Sequence, residues 1–530
     1  MKKTRLFVLL LCISSLFLLS GCESGSSTNI VQTPKQVTEY QNTNEKPQSG
    51  GTLRLAMTGA ASLNPVLADN LNNLYVLRLV FDGLFTVAPD DSIEPSLCES
   101  YVIQPDGIHY ELTVKSGVSF HNGTKLTAQD VDATLTFLQQ NEGLLQNSLA
   151  DIAEHRAEGM KLYITLKQPV INFPALLTFP VLSAADLSAS PAEYIPNGTG
   201  RYKVQSYQKS KTLYLSTNEN YHEAFAPYIT NIEVSLLKDA ATAVTMLENL
   251  QIDLLPSDVI NLREYTPKRN LSSAEFFRGQ FTFLGVNNQR PALLSSLTRT
   301  ALAVSLDKAG LLNAATVKSA KPVDLPFAPA SCWNNGQLSD ITYDAGYARS
   351  LLADAGWAAS EENGILTQEI YGEKTKLDLE ILVNRENQTR QRLAAQIKDY
   401  FAAAGVASHV TSVSFEEYER RVAAKQFDLV LGSVSLSENY DPSFLFKTDN
   451  NPFGISIEEV DQTLNALALK ENTSQKQSLY YELDEVLKTE MPMITLYAEY
   501  NTLVFDSRLK GEITPSGTDI FYGIERWFLS

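Results

Sequence analysis

Apolar and polar residues alternate over several short stretches of the chain, which is the pattern of a strand with one buried face. The alternation predicts strands over the segments 52–56, 109–114, 200–204 and 212–217, the last two as a hairpin. Two further segments, 377–383 and 427–431, are more continuously apolar and predict buried strands. Strands are therefore predicted over most of the length of the chain.

Other segments repeat apolar residues at the spacing of a helix. Val131 and Leu135 follow Thr127, whose side chain suits an N-cap. Helices are also predicted over the segments 298–312, 344–355 and 389–404. Gly356 and Gly405 suit the positions that follow the last two of these helices. Strands and helices that alternate in this way indicate an α/β fold with more than one sheet.

The first residues have the organisation of a secretory signal peptide. Three basic residues precede the apolar run 6–19, which is shorter than the ~20 residues that span a membrane. The run ends in Leu-Ser-Gly-Cys, which resembles the bacterial lipobox, so we predict that residues 1–21 are removed and that Cys22 carries lipid. Residues 22–49 are rich in Ser, Thr, Asn and Gln without apolar periodicity, and we predict a flexible tether there.

Composition and charge narrow the classes of protein to consider. The 530 residues, 44% hydrophobic and 20% charged, suffice for roughly three folding units at ~150 residues each. The formal net charge is -18; without the leader it becomes -21, because 61 acidic residues then face 40 of the 43 basic ones. Such acidity argues against a nucleic-acid partner. Apart from the leader and the lipid site, the cysteines are Cys98 and Cys332, too few for a disulfide framework.

Motifs for catalysis, nucleotide binding and metal binding are incomplete. His222-Glu223 lacks the second His of a zinc-protease helix, because Ala226 stands in its place. Gly198-x-Gly200 precedes a predicted strand, whereas a dinucleotide-binding loop precedes a helix. We therefore predict a binding protein without enzymatic activity, cofactor or metal.

A series of short motifs runs along the chain between residues 50 and 442. They are GGTLRL at 50–55, LNP at 63–65, VFDGL at 80–84, VSFHNGTKLTAQDV at 118–131, GTGRY at 198–202, NENY at 218–221, QID at 251–253, RTALAVSLDK at 299–308 and DP at 441–442. In this order they resemble the family 5 extracellular solute-binding proteins of ABC importers, which include dipeptide-, oligopeptide- and nickel-binding proteins. Arg201 stands where that family usually has Pro, and Asn249-Leu250 where it usually has Gly, so the subfamily is less defined than the fold.

The resemblance implies an α/β fold with mixed sheets: a two-lobed periplasmic-binding-protein clamshell of type II, with an extra subdomain inserted in lobe I. The implied lobe I comprises residues 50–280 and 490–530, with the inserted subdomain at about 82–197. The implied lobe II comprises residues 281–489. The ligand would lie between the lobes, which close on it by a hinge motion.

The implied ligand site includes the loop after the predicted strand 427–431. In the peptide binders an Asp three residues before the Asp-Pro pair receives the ammonium group of the ligand. Glu438 occupies that position here, and Asn439 and Tyr440 follow it. A carboxylate in a closed cleft makes charge-assisted hydrogen bonds to an ammonium group. The alternative for Glu438 is a solvated loop acid.

Further candidates for ligand contacts come from the same resemblance. Arg385 and Arg290 are candidates for the carboxylate of a free peptide, since a guanidinium fork matches a carboxylate. The alternative for Arg385 is a surface arginine beside an acid. Asn287 belongs to a loop that lines the cleft in relatives. Trp333 and Tyr497 are candidates for side-chain pockets, and the alternative for Tyr497 is a half-buried strand aromatic.

Together these features predict a monomeric, lipid-anchored receptor on the extracytoplasmic face of a cell membrane. It would capture short peptides and deliver them to the permease of an ABC importer. Alternatives are a different ligand (a nickel complex, a sugar or haem), a surface lipoprotein hydrolase with a dispersed active site, and a sensory receptor for signalling peptides. The five His residues show no metal-ligand spacing, which disfavours nickel.

Overall fold

The structure is a computed structural model. It describes residues 36–42, 45–146, 149–260, 262, 265–315, 319–362 and 364–530. The predicted signal peptide and the predicted lipid site at Cys22 lie outside the described residues, so both stay predictions.

The described residues form eleven α-helices. In chain order they are α1 (Leu71–Leu77), α2 (Ala128–Gln140), α3 (Ala240–Glu248), α4 (Ser296–Val304), α5 (Lys308–Ala315), α6 (Ala345–Asp354), α7 (Gln388–Ala403), α8 (Phe415–Ala423), α9 (Ser443–Phe446), α10 (Glu458–Ala468) and α11 (Thr473–Glu490). Thr127 is the N-cap of α2, as predicted, and its backbone N–H donates to Asp130 Oδ2 at 2.9 Å. Gly356 and Gly405 follow α6 and α7 with φ of 93° and 86°, which confirms their predicted role at the helix ends.

The single helix predicted over 298–312 is wrong, because the structure has two helices there. The first ends at Val304, and the hydroxyl of Ser305 donates to Leu302 O at 2.7 Å. Asp307 then accepts the backbone N–H of Gly310 at 2.9 Å, which is the bond of an N-cap residue to the third residue of the next helix. The capping carboxylate therefore starts α5 as a separate helix.

The described strands are numbered in chain order. They are β1 (Val37–Glu39), β2 (Thr52–Thr58), β3 (Phe85–Val87), β4 (Ile93–Pro95), β5 (Cys98–Ile103), β6 (His109–Val114), β7 (Ile152–Glu158), β8 (Lys161–Leu166), β9 (Tyr202–Gln208), β10 (Thr212–Thr217), β11 (Asn231–Leu237), β12 (Leu254–Pro256), β13 (Leu271–Val286), β14 (Ala320–Pro322), β15 (Ala358–Ala359), β16 (Leu366–Ile370), β17 (Glu373–Lys376), β18 (Asp378–Asn384), β19 (Ala407–Val413), β20 (Leu429–Ser435), β21 (Met493–Asp506), β22 (Leu509–Gly511) and β23 (Trp527–Leu529).

These strands form several mixed sheets. The largest has the order β12-β21-β13-β20-β18-β19, with β1 beside β13 and β14 beside β21. Two four-stranded sheets have the orders β2-β11-β10-β9 and β5-β6-β8-β7. The antiparallel pair β9–β10 is the predicted hairpin, which the structure confirms. Small sheets of two or three strands complete the described part: β3-β4, β15-β16-β17 and β22-β23.

The buried apolar side chains fall into two regions. The region that we call the first core draws on residues 53–276 and 503–527. The region that we call the second core draws on residues 277–498 and on Ile171. Both cores share the long antiparallel strands β13 and β21, whose register shifts between Phe277 and Phe281. The two strands therefore connect the cores, and the shift marks the place where they pass from one to the other.

The structure differs from the prediction of a flexible tether that runs to residue 49. Strand β1 pairs in parallel with the start of β13, with Val37 opposite Leu271. Tyr40 then packs edge-on against Phe505, and its hydroxyl donates to Gly511 O at 3.1 Å. An apolar residue and an aromatic one within the polar segment thus suffice to dock it on the sheet.

Candidate ligand-binding site

A cavity of about 250 Å³ lies where β13 passes from the first core to the second. Its lining comes from both cores and consists of Leu71, Leu74, Tyr75, Arg78, Val87, Arg278, Ser435, Leu436, Ser437, Glu438, Tyr440, Gly517 and Thr518. We call it the central cavity. Because it joins segments from four distant parts of the sequence, its shape depends on how the two cores meet.

Helix α1 supplies one wall of the central cavity. Leu71 lies three and four residues before Leu74 and Tyr75, and the C-cap Arg78 lies four and three residues after them, so the four share one face of the helix. Asn72 fixes the other face of the helix to β2, because its side-chain amide donates to Ala56 O at 2.9 Å. The helix therefore presents a fixed row of side chains to the cavity.

The opposite wall is the loop after β20, which is held against β13 at Gly279. Leu436 donates its backbone N–H to Gly279 O at 2.9 Å. Gly279 has φ of 75°, and a Cβ there would lie 2.3 Å from Leu436 O, so a larger residue does not fit. This contact places Arg278 and Glu438 at the same cavity.

Thr178 links the two charged walls of the central cavity. Its hydroxyl donates to Glu438 Oε2 at 2.8 Å, and its carbonyl accepts from Arg78 Nη1 at 2.7 Å. Tyr75 lies beside them, donating to Gly517 O at 3.1 Å, and burial raises the pKa of its hydroxyl above the usual value. The cavity lining thus has one carboxylate, two guanidinium groups and two tyrosines among leucines, a valine and small polar residues.

The loop that carries Glu438 continues into direct bonds with the first-core segments. Asn439 donates to Ile171 O at 2.9 Å, and its own carbonyl accepts from Asn172 Nδ2 at 3.0 Å. Tyr440 donates its hydroxyl to the carboxylate of Asp91. These reciprocal bonds fix the position of the loop across the boundary between the cores.

Asp91 accepts hydrogen bonds from two of the predicted site residues. Its carboxylate accepts from Tyr440, and its carbonyl accepts from Trp333 Nε1 at 3.1 Å. Burial raises the pKa of the Asp91 carboxyl to about 6, although hydrogen bonds from Tyr440 and Ser331 act in the opposite direction. Trp333 is itself fully buried, so in this structure it supports Asp91 and does not line the cavity.

The structure places the other four predicted site residues away from the central cavity. Arg385 has an exposed side chain, 3.9 Å from a carboxylate oxygen of the neighbouring Glu386. Arg290 pairs with Asp428 at 3.0 Å, and Asn287 donates to Phe427 O at 2.9 Å. Tyr497 is a buried member of the second core on β21. Glu438, Asn439, Tyr440 and Trp333 are therefore the predicted residues that the fold brings together.

Tyr75, Arg78 and Arg278 are cavity residues that the sequence reasoning did not single out. Arg78 ends an apolar helix directly before the VFDGL motif, and Arg278 interrupts a run of aromatic strand residues. The signal in the sequence for both arginines is a basic residue within an otherwise apolar segment. Among the described residues we find no group of three or more His, Cys, Asp or Glu side chains with the spacing of a metal site.

The sequence signature of the bacterial extracellular solute-binding proteins, family 5, matches residues 92–455. The chain belongs to this family. Its members are the binding components of ABC importers and are not enzymes, so this chain is an extracytoplasmic solute-binding protein. In the part of the chain that the structure describes, no helix has the length and apolar character needed to cross a membrane.

Individual relatives are distant but extend over most of the chain. The oligopeptide-binding protein AppA of Bacillus subtilis is 22% identical over 554 residues, which cover 100% of this chain and 99% of AppA. Heme-binding protein A of Haemophilus influenzae is 24% identical over 473 residues, which cover 82% and 84%. The unliganded open form of MppA, a periplasmic murein tripeptide binding protein, has a TM-score of 0.74 at 17% identity and covers 91% of this chain and 97% of its own. The fold is therefore that of a two-lobed type II periplasmic binding protein.

Proposed function

We propose that this protein captures short peptides in the central cavity and delivers them to the permease of an ABC importer. The observation that carries the proposal is the position of Glu438. Its carboxylate lines a cavity between the two cores and accepts one hydrogen bond from Thr178, and no described Lys, Arg or His forms an ion pair with it. An ammonium group of a ligand would supply the missing cation.

We also propose a division into two lobes, with the boundaries given by the sequence. Lobe I would be residues 50–280 with 490–530, and lobe II residues 281–489. The first and second cores support the boundary near residue 280, since the cores exchange at the register shift of β13. At the other boundary the second core continues to Ala498, so the start of β21 packs with the proposed lobe II. Ligand bound to both walls of the cavity would favour the closed arrangement, which is the condition for ligand-dependent docking on a permease.

Binding is tested by thermal unfolding of the mature protein with pools of peptides two to nine residues long. A peptide at 100 times its Kd stabilises the folded protein by about 2.7 kcal/mol, which a scanning measurement resolves. Glu438→Gln keeps the size of the side chain and removes its charge, so the stabilisation should fall sharply. The matched control is Glu386→Gln, which removes an exposed acid of the same proposed lobe. This variant should be stabilised by peptides as much as the unmodified protein is.

Haem, nickel complexes and sugars are included in the same assay. Stabilisation by one of these ligands, with none by any peptide pool, would show that the peptide assignment is wrong. A transport assay in cells that lack the protein then separates import from peptide sensing, since only an import protein restores uptake of labelled peptide.

Lipid anchoring at Cys22 is part of the proposal and is supported by the lipobox-like tetrapeptide. Mass spectrometry of the protein from the membrane fraction should give a chain that begins at a lipid-modified Cys22. Cys22→Ser should move the protein out of that fraction. An unmodified chain that begins elsewhere would refute the anchor and leave the ligand site unaffected.

A further inference from the structure

We propose that Arg78 binds the free carboxylate of the cargo, so that the central cavity selects peptides of two or three residues with an unmodified C-terminus. This inference rests on the proposed function, since it names the chemical class of the cargo. It assigns the carboxylate to a residue of lobe I, whereas the sequence pointed to Arg385 or Arg290 of lobe II.

The first observation is that Arg78 is a buried cation without a direct ion pair, since Thr178 lies between it and Glu438. Its residue is 8% exposed, and its guanidinium donates one hydrogen bond, from Nη1 to the carbonyl of Thr178. Its Nε is buried and has no hydrogen-bond partner. No described carboxylate forms an ion pair with it. An uncompensated buried charge is costly, and buried polar atoms in folded proteins normally have partners.

The other buried cations among the described residues are Lys308, Arg299 and Lys476. Lys308 pairs with Asp324 and Arg299 pairs with Glu490 at 3.5 Å, whereas Lys476 forms no ion pair with a described carboxylate. Arg78 shares the missing partner with Lys476 but differs from it in lining the central cavity, where a ligand can supply the anion.

Arg78 also lines a second cavity, of about 270 Å³ within the first core, so the side on which an anion would bind has to be decided. The second cavity has five carboxylates in its lining, from Asp82, Glu94, Glu223, Asp519 and Glu525, against three arginines, Arg78, Arg201 and Arg526. The central cavity has Arg78 and Arg278 against the single carboxylate of Glu438, and Arg278 pairs with Asp258 at 3.2 Å. One cation and one carboxylate without an ion pair therefore remain in the central cavity, whereas carboxylates outnumber arginines in the second cavity, so an anion is favoured in the central cavity.

The length of the cargo follows from the residue that the two charged groups share as a hydrogen-bond partner. Arg78 and Glu438 are bonded to the carbonyl and the hydroxyl of one residue, Thr178, at 2.7 Å and 2.8 Å. An extended peptide advances ~3.3–3.6 Å per residue, so a nonapeptide spans about 30 Å and cannot place its two ends on such close partners. A cavity of about 250 Å³ is likewise small for a long peptide. The geometry suits a zwitterion of two or three residues.

The test compares pools of di- and tripeptides as free acids and as C-terminal amides, by isothermal titration calorimetry on the mature protein. A charge-assisted hydrogen bond to Arg78 should make the acids bind about 10- to 100-fold more tightly than the amides. In Arg78→Gln the two pools should bind equally. Arg385→Gln removes an exposed arginine of lobe II and should keep the preference for acids.

The unmodified protein decides the question even if Arg78→Gln does not fold, because the acid and amide pools are compared on the same protein. Equal affinity for acids and amides, or a preference that persists in Arg78→Gln, overturns the role of Arg78 and leaves peptide capture standing. Failure of both pools to bind refutes this inference, and it refutes the proposed function as well only if the pools of four to nine residues also fail to stabilise the protein. Loss of the preference in Arg385→Gln with its retention in Arg78→Gln would assign the carboxylate to lobe II.

Discussion

The bond between Tyr440 and Asp91 gives a direct measurement of how much the contact between lobes contributes to ligand affinity. Both residues are 5% exposed, and they belong to opposite sides of the boundary between the two cores. The perturbation is Tyr440→Phe, which removes one hydroxyl and leaves the ring in place. A hydrogen bond to a charged group contributes about 1.5–3 kcal/mol. If ligand binding closes the lobes, the variant should therefore lose about 10- to 150-fold in affinity.

The assay is calorimetric titration with the peptide that binds most tightly to the unmodified protein. The matched control is Tyr418→Phe, because the hydroxyl of Tyr418 donates to Leu431 O at 3.1 Å within the second core alone. Both variants should lower the free energy of unfolding, Tyr418→Phe by only about 0.5–1.5 kcal/mol because its bond is to a neutral carbonyl. Tyr440→Phe alone should weaken binding. Affinity of Tyr440→Phe within twofold of the unmodified protein would refute the reasoning, since the bond would then be equally present with and without ligand.

Three further predictions concern the same elements. Asp91→Asn should make the stability of the protein less dependent on pH, because burial raises the carboxyl pKa from 3.8 to about 6. The unmodified protein should therefore lose about 1.4 kcal/mol of unfolding free energy relative to the variant as pH rises from 5 to 8. Urea titrations at the two pH values measure this difference, and equal changes in the two proteins would contradict the prediction. Gly279→Ala should destabilise the protein by more than about 2 kcal/mol, because the new Cβ would lie 2.3 Å from Leu436 O. Gly405→Ala has no neighbour within 4 Å and should cost only its backbone strain of about 1 kcal/mol. Equal shifts in the melting temperature for the two variants would be inconsistent with a steric role of Gly279. Asp307→Ala should lower the free energy of unfolding by about 1 kcal/mol, because α5 loses its N-cap. Urea unfolding measures this change, and an unchanged midpoint would mean that the cap is not needed to start the helix.

Sequence patterns predicted the local elements well because their causes are local. Strict alternation over residues 109–114 coincides with β6, and the capping residue Thr127 marks the start of α2. The missed division of 298–312 has an equally local cause. The segment continues its apolar spacing through Leu306, and the decisive feature is one carboxylate, Asp307, that caps the following turn instead of continuing the first helix.

The motifs that carry the family resemblance mostly reflect packing. A Cβ on Gly198 would lie 1.9 Å from Val80 O, so the GTG motif permits a close approach of two backbone segments. Asp82 of the VFDGL motif accepts from Thr199 at 2.9 Å and from His222 at 3.1 Å. These requirements belong to the fold and are shared by proteins with different ligands, so they predict the architecture and not the cargo.

Only part of the candidate site was predictable from the sequence, because some of its residues are specified locally and others by contacts between distant segments. Glu438 was accessible through its distance from the Asp-Pro pair, which is a local register. Its partner Thr178 lies 260 residues away in sequence, and Arg78 reaches the cavity only through the packing of α1 on β2. No pattern within a single segment specifies that an arginine will be buried without a carboxylate, because the missing partner is a property of all the surrounding elements together.

The contact at Asp91 also bears on why an empty protein of this kind need not stay closed. The Asp91 carboxylate is buried where the two cores meet, and its raised pKa means that its burial opposes this contact at neutral pH while the Tyr440 and Ser331 bonds favour the contact. Arg78 adds a second unfavourable burial, which a ligand carboxylate would remove. The closed state then gains stability from the ligand that it does not have alone, and a ligand shifts a conformational equilibrium only through such a difference in affinity. Replacing Arg78 by an uncharged residue should therefore weaken the binding of free acids and at the same time increase the closed fraction of the empty protein, which small-angle scattering measures. An empty Arg78→Gln protein as open as the unmodified one would separate the two effects and show that the burial of Arg78 does not oppose closure.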